Sequence, residues 1–162
     1  MAQQIKLMGE RKRIALIAHD DRKEDLLAWA EFNKGRLSRH ILYATGTTGT
    51  VLKARLDLDI TVFMSGPLGG DQQIGARIAE GEIDCLIFFW DPLESHPHDP
   101  DVRALLRVAV LQNIPVATNR ASADFIFSSP LMEDEYPRRL YDFAGRLARL
   151  RAVERVRRGE EE

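Results

Sequence analysis

Five short apolar runs limit what this chain can fold into more than any other feature. They are Arg13–Ala18 (RIALIA), His40–Ala44 (HILYA), Ile60–Met64 (ITVFM), Asp84–Trp90 (DCLIFFW) and Ile114–Ala117 (IPVA). Each is too short for a typical helix, and most are rich in β-branched or aromatic residues. None alternates cleanly with polar residues. Continuous apolar strands of this kind belong in a parallel sheet that is covered on both faces.

Helical patterns lie between the runs. Asp21–Asn33 sets Leu26, Leu27, Trp29 and Ala30 on or near one stripe. Thr47–Leu56 and Gln72–Glu80 are shorter candidates. Asp101–Gln112 places Val102, Leu105, Leu106, Ala109 and Val110 at helical spacing. Ser122–Ser128 reads as a short turn or helix. The alternation predicts an α/β fold: a three-layer, doubly wound, mostly parallel five-stranded sheet with right-handed crossovers. Pattern alone leaves the strand order open.

The 162 residues suit a single domain spanning 1–162. The first ten residues read as a loose, polar arm. Tyr136–Glu162 reads as helical, with Leu140, Phe143, Leu147 and Leu150 on one stripe. A docked C-terminal helix is expected, then a charged, solvated tail from about residue 151 to 162. A net charge of −2 gives no electrostatic case for nucleic acid. No apolar run is long enough to span a membrane. The single cysteine, Cys85, excludes an internal disulfide and fits a reducing, cytoplasmic location.

The unusual residues gather after the strands. The first run is followed by His19-Asp20-Asp21, with Lys23 close behind. The second is followed by Thr45-Gly46-Thr47-Thr48-Gly49, and the third by Ser65-Gly66-Pro67-Leu68-Gly69-Gly70-Asp71. The fourth leads through Asp91-Pro92 into His96-Pro97-His98-Asp99-Pro100-Asp101, and the fifth ends in Thr118-Asn119. In an open α/β sheet these ends share one edge, where ligands bind. Segments distant in sequence are therefore expected to converge on one site.

Several readings stay open at the level of single residues. TGTTG is either a phosphate cradle lacking the P-loop lysine or an ordinary glycine turn with a threonine cap. Ser65-Gly66 is placed to donate from the opposite side. Lys23 is either a charge for that anion or a solvated surface lysine. Asp71 is either the N-cap of the next helix or a carboxylate aimed at a ligand. The loop HPHDPD is stiffened by proline and offers a histidine able to move a proton near neutral pH. Two histidines at i,i+2 with no further ligand set make a poor metal site, and no metal is expected. Asp99 or Asp101 could cap the following helix. His40 opens a strand at the opposite edge, and Cys85 reads as inert core.

Taken together, ALIAHD with Lys23, YATGTTG, SGPLGGDQQIGA, FFWDPLESHPHDPDVRALLR and NIPVATN resemble the methylglyoxal synthase family over roughly residues 13 to 128. The resemblance implies conversion of dihydroxyacetone phosphate to methylglyoxal and inorganic phosphate, with no cofactor. It implies Asp71 as catalytic acid/base, and His98 and His19 as substrate-contacting histidines. It implies Lys23, Thr45, Gly46, Thr47, Thr48, Ser65 and Gly66 as phosphate-binding positions, and Asp20, Asp91 and Asp101 as acids around the pocket. It also implies a homo-oligomer, typically a hexamer, often allosterically responsive to phosphate. Ser122 stands where the family more often has threonine, and the arginine-rich tail after Leu150 is long. The alternative is a non-catalytic regulatory domain binding a phosphorylated effector, which would need neither Asp71 nor His98.

Overall fold

The computed structural model describes residues 4–94 and 99–159. In chain order the strands and helices are β1 (Ile5–Met8), β2 (Arg13–Ala18), α1 (Lys23–Phe32), α2 (Lys34–Leu37), β3 (Ile41–Ala44), α3 (Gly46–Leu56), β4 (Ile60–Val62), α4 (Gly70–Ala79), β5 (Cys85–Phe89), α5 (Asp99–Leu111), β6 (Val116–Ala117), α6 (Arg120–Ser128), β7 (Tyr136–Arg139) and α7 (Phe143–Arg157). Five strands form one parallel sheet in the order β4-β3-β2-β5-β6. The chain runs outward from β2 through β3 to β4, then crosses back to β5 and β6. The switch point falls between β2 and β5, whose register pairs Ile14 with Cys85 and Ala18 with Phe89.

Each strand feeds both faces of the sheet. Ile14, Leu16 and Ala18 of β2, with Cys85, Ile87 and Phe89 of β5, pack beneath α1, α3 and α6. Ala15, Ile17, Leu86 and Phe88 face the other way, against Ile74 and Ile78 of α4 and Val102, Leu105 and Ala109 of α5. This two-sided burial is why the runs lack alternation. Trp29 anchors the first layer. It is fully buried against Phe127, with ring centroids 4.7 Å apart, and its indole N–H donates to Asp124 Oδ1 at 3.1 Å.

Both termini depart from expectation. The arm expected to be loose contains β1, which pairs antiparallel with β7 through Met8–Tyr136 and Lys6–Arg138. Met8 is 2% exposed and belongs to the second core layer, so the ribbon is tied to the domain. Tyr136–Arg139 is therefore strand rather than helix. Pro137 explains this, since it lacks an N–H and biases the residue before it toward extended backbone. The C-terminal helix starts only at Phe143, behind an Asp142 cap, and continues to Arg157. It buries no residue against the rest of this chain, so the expected docking of its apolar stripe is not seen within one copy. Among the described residues no helix is long and apolar enough to cross a membrane.

Candidate active site

The ends of β2 and β4 and the start of α3 meet at the carboxyl edge, as the strand ends foretell. They enclose a pocket of about 230 Å³ lined by Ile17, Ala18, His19, Asp20, Lys23, Thr47, Ser65, Gly66, Pro67, Asp71 and Phe88. Six of the lining residues are polar or charged candidates named from the sequence. They arrive from three separate segments.

Asp71 is no longer ambiguous as to capping. The N-cap of α4 is Gly69, which adopts a φ of 112°, and no side chain caps the helix. Asp71 sits inside the first turn, 4% exposed. A Cβ on Gly66 would stand 3.2 Å from both carboxylate oxygens of Asp71, so the carboxylate lies against that backbone. The approach depends on a tight turn. A Cβ on Gly70 would fall 1.9 Å from the Met64 carbonyl oxygen, a distance no side chain tolerates. Gln73 secures the same turn by accepting from Met64 N–H at 2.9 Å. Its place in GGDQQ was the available signal for that supporting role.

His19 follows β2 and is 7% exposed. Its Nδ1 accepts the Asp91 N–H at 3.0 Å, and its own N–H donates to the Phe89 carbonyl at 3.1 Å. The first bond places the ring proton on Nε2, so the neutral imidazole is a donor from that nitrogen. The ring stands edge-on to Phe88, 5.1 Å between centroids, which fixes its plane. Asp91 acts here through its backbone. It is buried, and its Oδ1 accepts from Leu93 N–H at 3.0 Å.

Lys23 spans the mouth. Its ammonium donates to Asp20 Oδ1 and, at 3.1 Å, to Thr47 Oγ1. The threonine turn differs from a simple open cradle. Gly46 N–H donates to the Met64 carbonyl at 3.0 Å, which stitches the end of β3 to the end of β4. Thr45 is the extended N-cap residue of α3, and both Thr45 and Thr48 are buried at 4% exposure. Thr47 and Ser65 thus carry the hydroxyls that reach the pocket, while Thr45, Gly46 and Thr48 lie behind it. Asp101 occupies the first turn of α5, half-buried and outside the lining. His98 lies outside the described residues.

Asp21, Asp91 and Glu94 each bring one carboxylate oxygen within 4.8 Å of the others, a spacing that a hard cation accepts. The cluster borders the site without lining it, and one Asp91 oxygen is already committed to Leu93. Cys85 is buried in the sheet, and that burial, with the Asp84 charge added, pushes its thiol up to about 12. It takes no part in chemistry at neutral pH.

A family model described as an MGS-like domain matches residues 25–118. A methylglyoxal synthase of Vibrio cholerae serotype O1 is 57% identical over 148 residues, covering 91% of this chain and 98% of that protein. The chain belongs to the methylglyoxal synthase family. A methylglyoxal synthase of Photorhabdus laumondii subsp. laumondii is 59% identical over 136 residues, 84% of this chain and 90% of that protein. Among solved structures, the crystal structure of methylglyoxal synthase from Elizabethkingia anophelis NUHP1 matches with a TM-score of 0.84 at 50% identity. That match covers 90% of this chain and 95% of that one. The five-stranded parallel sheet places the candidate pocket at its carboxyl edge.

Proposed function

We propose that this chain is a carbon–oxygen lyase that converts dihydroxyacetone phosphate into methylglyoxal and inorganic phosphate. The observation that carries the reading is the single pocket holding the Asp71 carboxylate, the His19 ring and the Lys23 ammonium together. Asp71 removes a proton from the hydroxyl-bearing carbon, and the C–H electron pair becomes the double bond of an enediolate. The His19 Nε2–H donates to an enediolate oxygen, with His98 as its partner by family resemblance. The enediolate then expels phosphate as the C–O bond breaks, and the remaining enol tautomerises to methylglyoxal. Lys23, Thr47 and Ser65 hold the leaving phosphate, backed by Thr45, Gly46, Thr48 and Gly66. Asp20 orients Lys23, Asp91 orients His19, and Asp101 steadies the first turn of α5. Elimination requires the breaking C–O bond to stand perpendicular to the enediolate plane, so the two halves of the pocket must hold the substrate twisted.

The reading as a non-catalytic phosphate sensor has no observation in its favour, since a sensor needs no buried Asp71. We further propose that the chain works as a homo-oligomer, a hexamer by family resemblance, in a cytoplasmic setting. The unburied stripe Phe143, Leu147 and Leu150 of α7 supports self-association. Allosteric response to phosphate is part of the same family reading. Purified protein with dihydroxyacetone phosphate and a chelator present should release methylglyoxal and phosphate in equal amounts. Absence of product would overturn the reading. Asp71→Asn should lower turnover by about 10²–10⁴-fold while still binding a phosphorylated analogue.

A further inference from the structure

The carboxyl edge of the sheet holds a second cavity, of about 540 Å³, which the proposed reaction does not use. No residue lines both this cavity and the catalytic pocket. Consecutive residues of β5 divide the two, because side chains alternate along a strand. Phe88 lines the catalytic pocket and belongs to the core layer of α4 and α5. Phe89 lines the second cavity and belongs to the layer of α1 and α6. The walls come from the ends of β5 and β6 and from the starts of α1 and α6. Open α/β sheets bind ligands at this edge, and the volume is that of a small-molecule site.

Two kinds of group set the chemistry of this cavity. Phe89 is 2% exposed and Trp90 is 39% exposed, so the lining offers one buried ring and one indole still open to water. Such an indole is a ready face for a second planar ring. Arg22 and Arg120 line the cavity as well. Arg22 meets Asp25 at 3.4 Å, with side chains 41% and 54% exposed, which makes a weak pair. Arg120 has no hydrogen bond or ion pair among the described residues. Asp25 is the one carboxylate in the lining against two guanidinium groups, so a positive charge is left over. The first turn of α6 is not the receptor, since Asn119 Oδ1 already accepts the Ser122 N–H at 2.9 Å. A guanidinium fork matches a carboxylate in plane and spacing. An inorganic ion would satisfy Arg120 but leave Trp90 and most of the volume unused.

We propose that this cavity is a second ligand site, taking a planar aromatic carboxylate whose anionic group pairs with Arg120 and whose rings lie on Trp90, with Arg22 adding to the positive balance. The site is independent of the reaction proposed above. Indole-3-acetate is the probe, with indole-3-acetamide as its neutral counterpart, measured by calorimetry on the full chain. Indole-3-acetate should bind saturably, and the amide at least about tenfold more weakly. Arg120→Gln should lower indole-3-acetate affinity by a similar factor and keep turnover. Trp90→Leu keeps an apolar side chain without the stacking face, and should lower affinity by about two- to tenfold. Lys23→Met, which alters only the catalytic pocket, should leave the affinity as it is. The proposal is overturned if indole-3-acetate does not bind saturably, if the amide binds equally well, or if either Arg120→Gln or Trp90→Leu leaves the affinity unchanged. Loss of binding in Lys23→Met would place the probe in the catalytic pocket and overturn it too.

Discussion

Asp91 donates its backbone N–H to Nδ1 of His19 at 3.0 Å, so a residue at the end of β5 sets the tautomer of a histidine at the end of β2. The two strands are neighbours at the switch point of the sheet. A donor on Nε2 is what a developing enediolate oxygen requires. Replacing His19 with alanine should lower kcat by about 10²–10³-fold, the usual loss on removing one oxyanion donor. Steady-state kinetics measures this, and a near-parental kcat would remove His19 from the mechanism.

Lys23 offers a different kind of test, because its ammonium is held between Asp20 and Thr47. In Lys23→Met the phosphate loses a charge-assisted donor. KM should rise by about 10–100-fold, with product inhibition by phosphate weakened in step. Asp20→Asn leaves the lysine in place and should have the smaller effect. An unchanged KM in Lys23→Met would make it a surface lysine.

Two glycines in one turn should separate stability from catalysis. Gly70→Ala drives a methyl group against the Met64 carbonyl oxygen, 1.9 Å from the ideal Cβ, and the backbone must move. Denaturant titration should register a loss of about 2–3 kcal/mol or more. Gly66→Ala meets the Asp71 carboxylate first, at 3.2 Å. It should fold nearly normally, yet lose about 10²-fold in turnover as the carboxylate is displaced.

These glycines mark how far the sequence could be read. The five apolar runs became the five strands because two-sided burial leaves a continuous apolar imprint, visible at Ile14–Ala18 and Cys85–Phe89. Convergence at the carboxyl edge was likewise legible from the placement of His19, Thr47, Ser65 and Asp71 after successive strands. The ribbon of β1 and β7 was not, since four-residue strands from opposite ends of the chain pair without a local signal. Nor could spacing show that Gly69 takes the cap, or that Gly46 N–H is consumed by the Met64 carbonyl. Those outcomes depend on how one loop sits on another.

His40 should give stability a pH dependence remote from the active site. Its Nδ1 accepts the Lys12 backbone N–H at 3.0 Å, and the residue is 4% exposed. Burial lowers its folded value below 6.5; the charges of Lys12, Arg39 and Arg11 act in the same direction, and Glu133 opposes them. The unfolded chain therefore binds a proton that the folded chain resists. This contribution is fully present above the unfolded value and is lost as pH falls from there toward the folded one. Unfolding free energy should thus drop on moving from neutral pH to about pH 5. His40→Asn keeps an acceptor for Lys12 and should flatten that part of the profile. An equal slope in both proteins would assign the dependence elsewhere.

The helix α7 supplies the last test. Phe143, Leu147 and Leu150 are 42%, 53% and 52% exposed, and no residue of the helix is buried in one copy. An apolar stripe at i, i+4 and i+7 left in water is the kind of surface that association covers. Because no residue of the helix is buried in its own chain, charging Leu147 and Leu150 should leave the domain folded. Leu147→Glu with Leu150→Glu should therefore keep the circular dichroism of the parent while lowering the mass measured by light scattering on a sizing column. If the mass is unchanged, the copies associate through some other face. If the parent itself runs as a monomer, the proposal of a homo-oligomer fails.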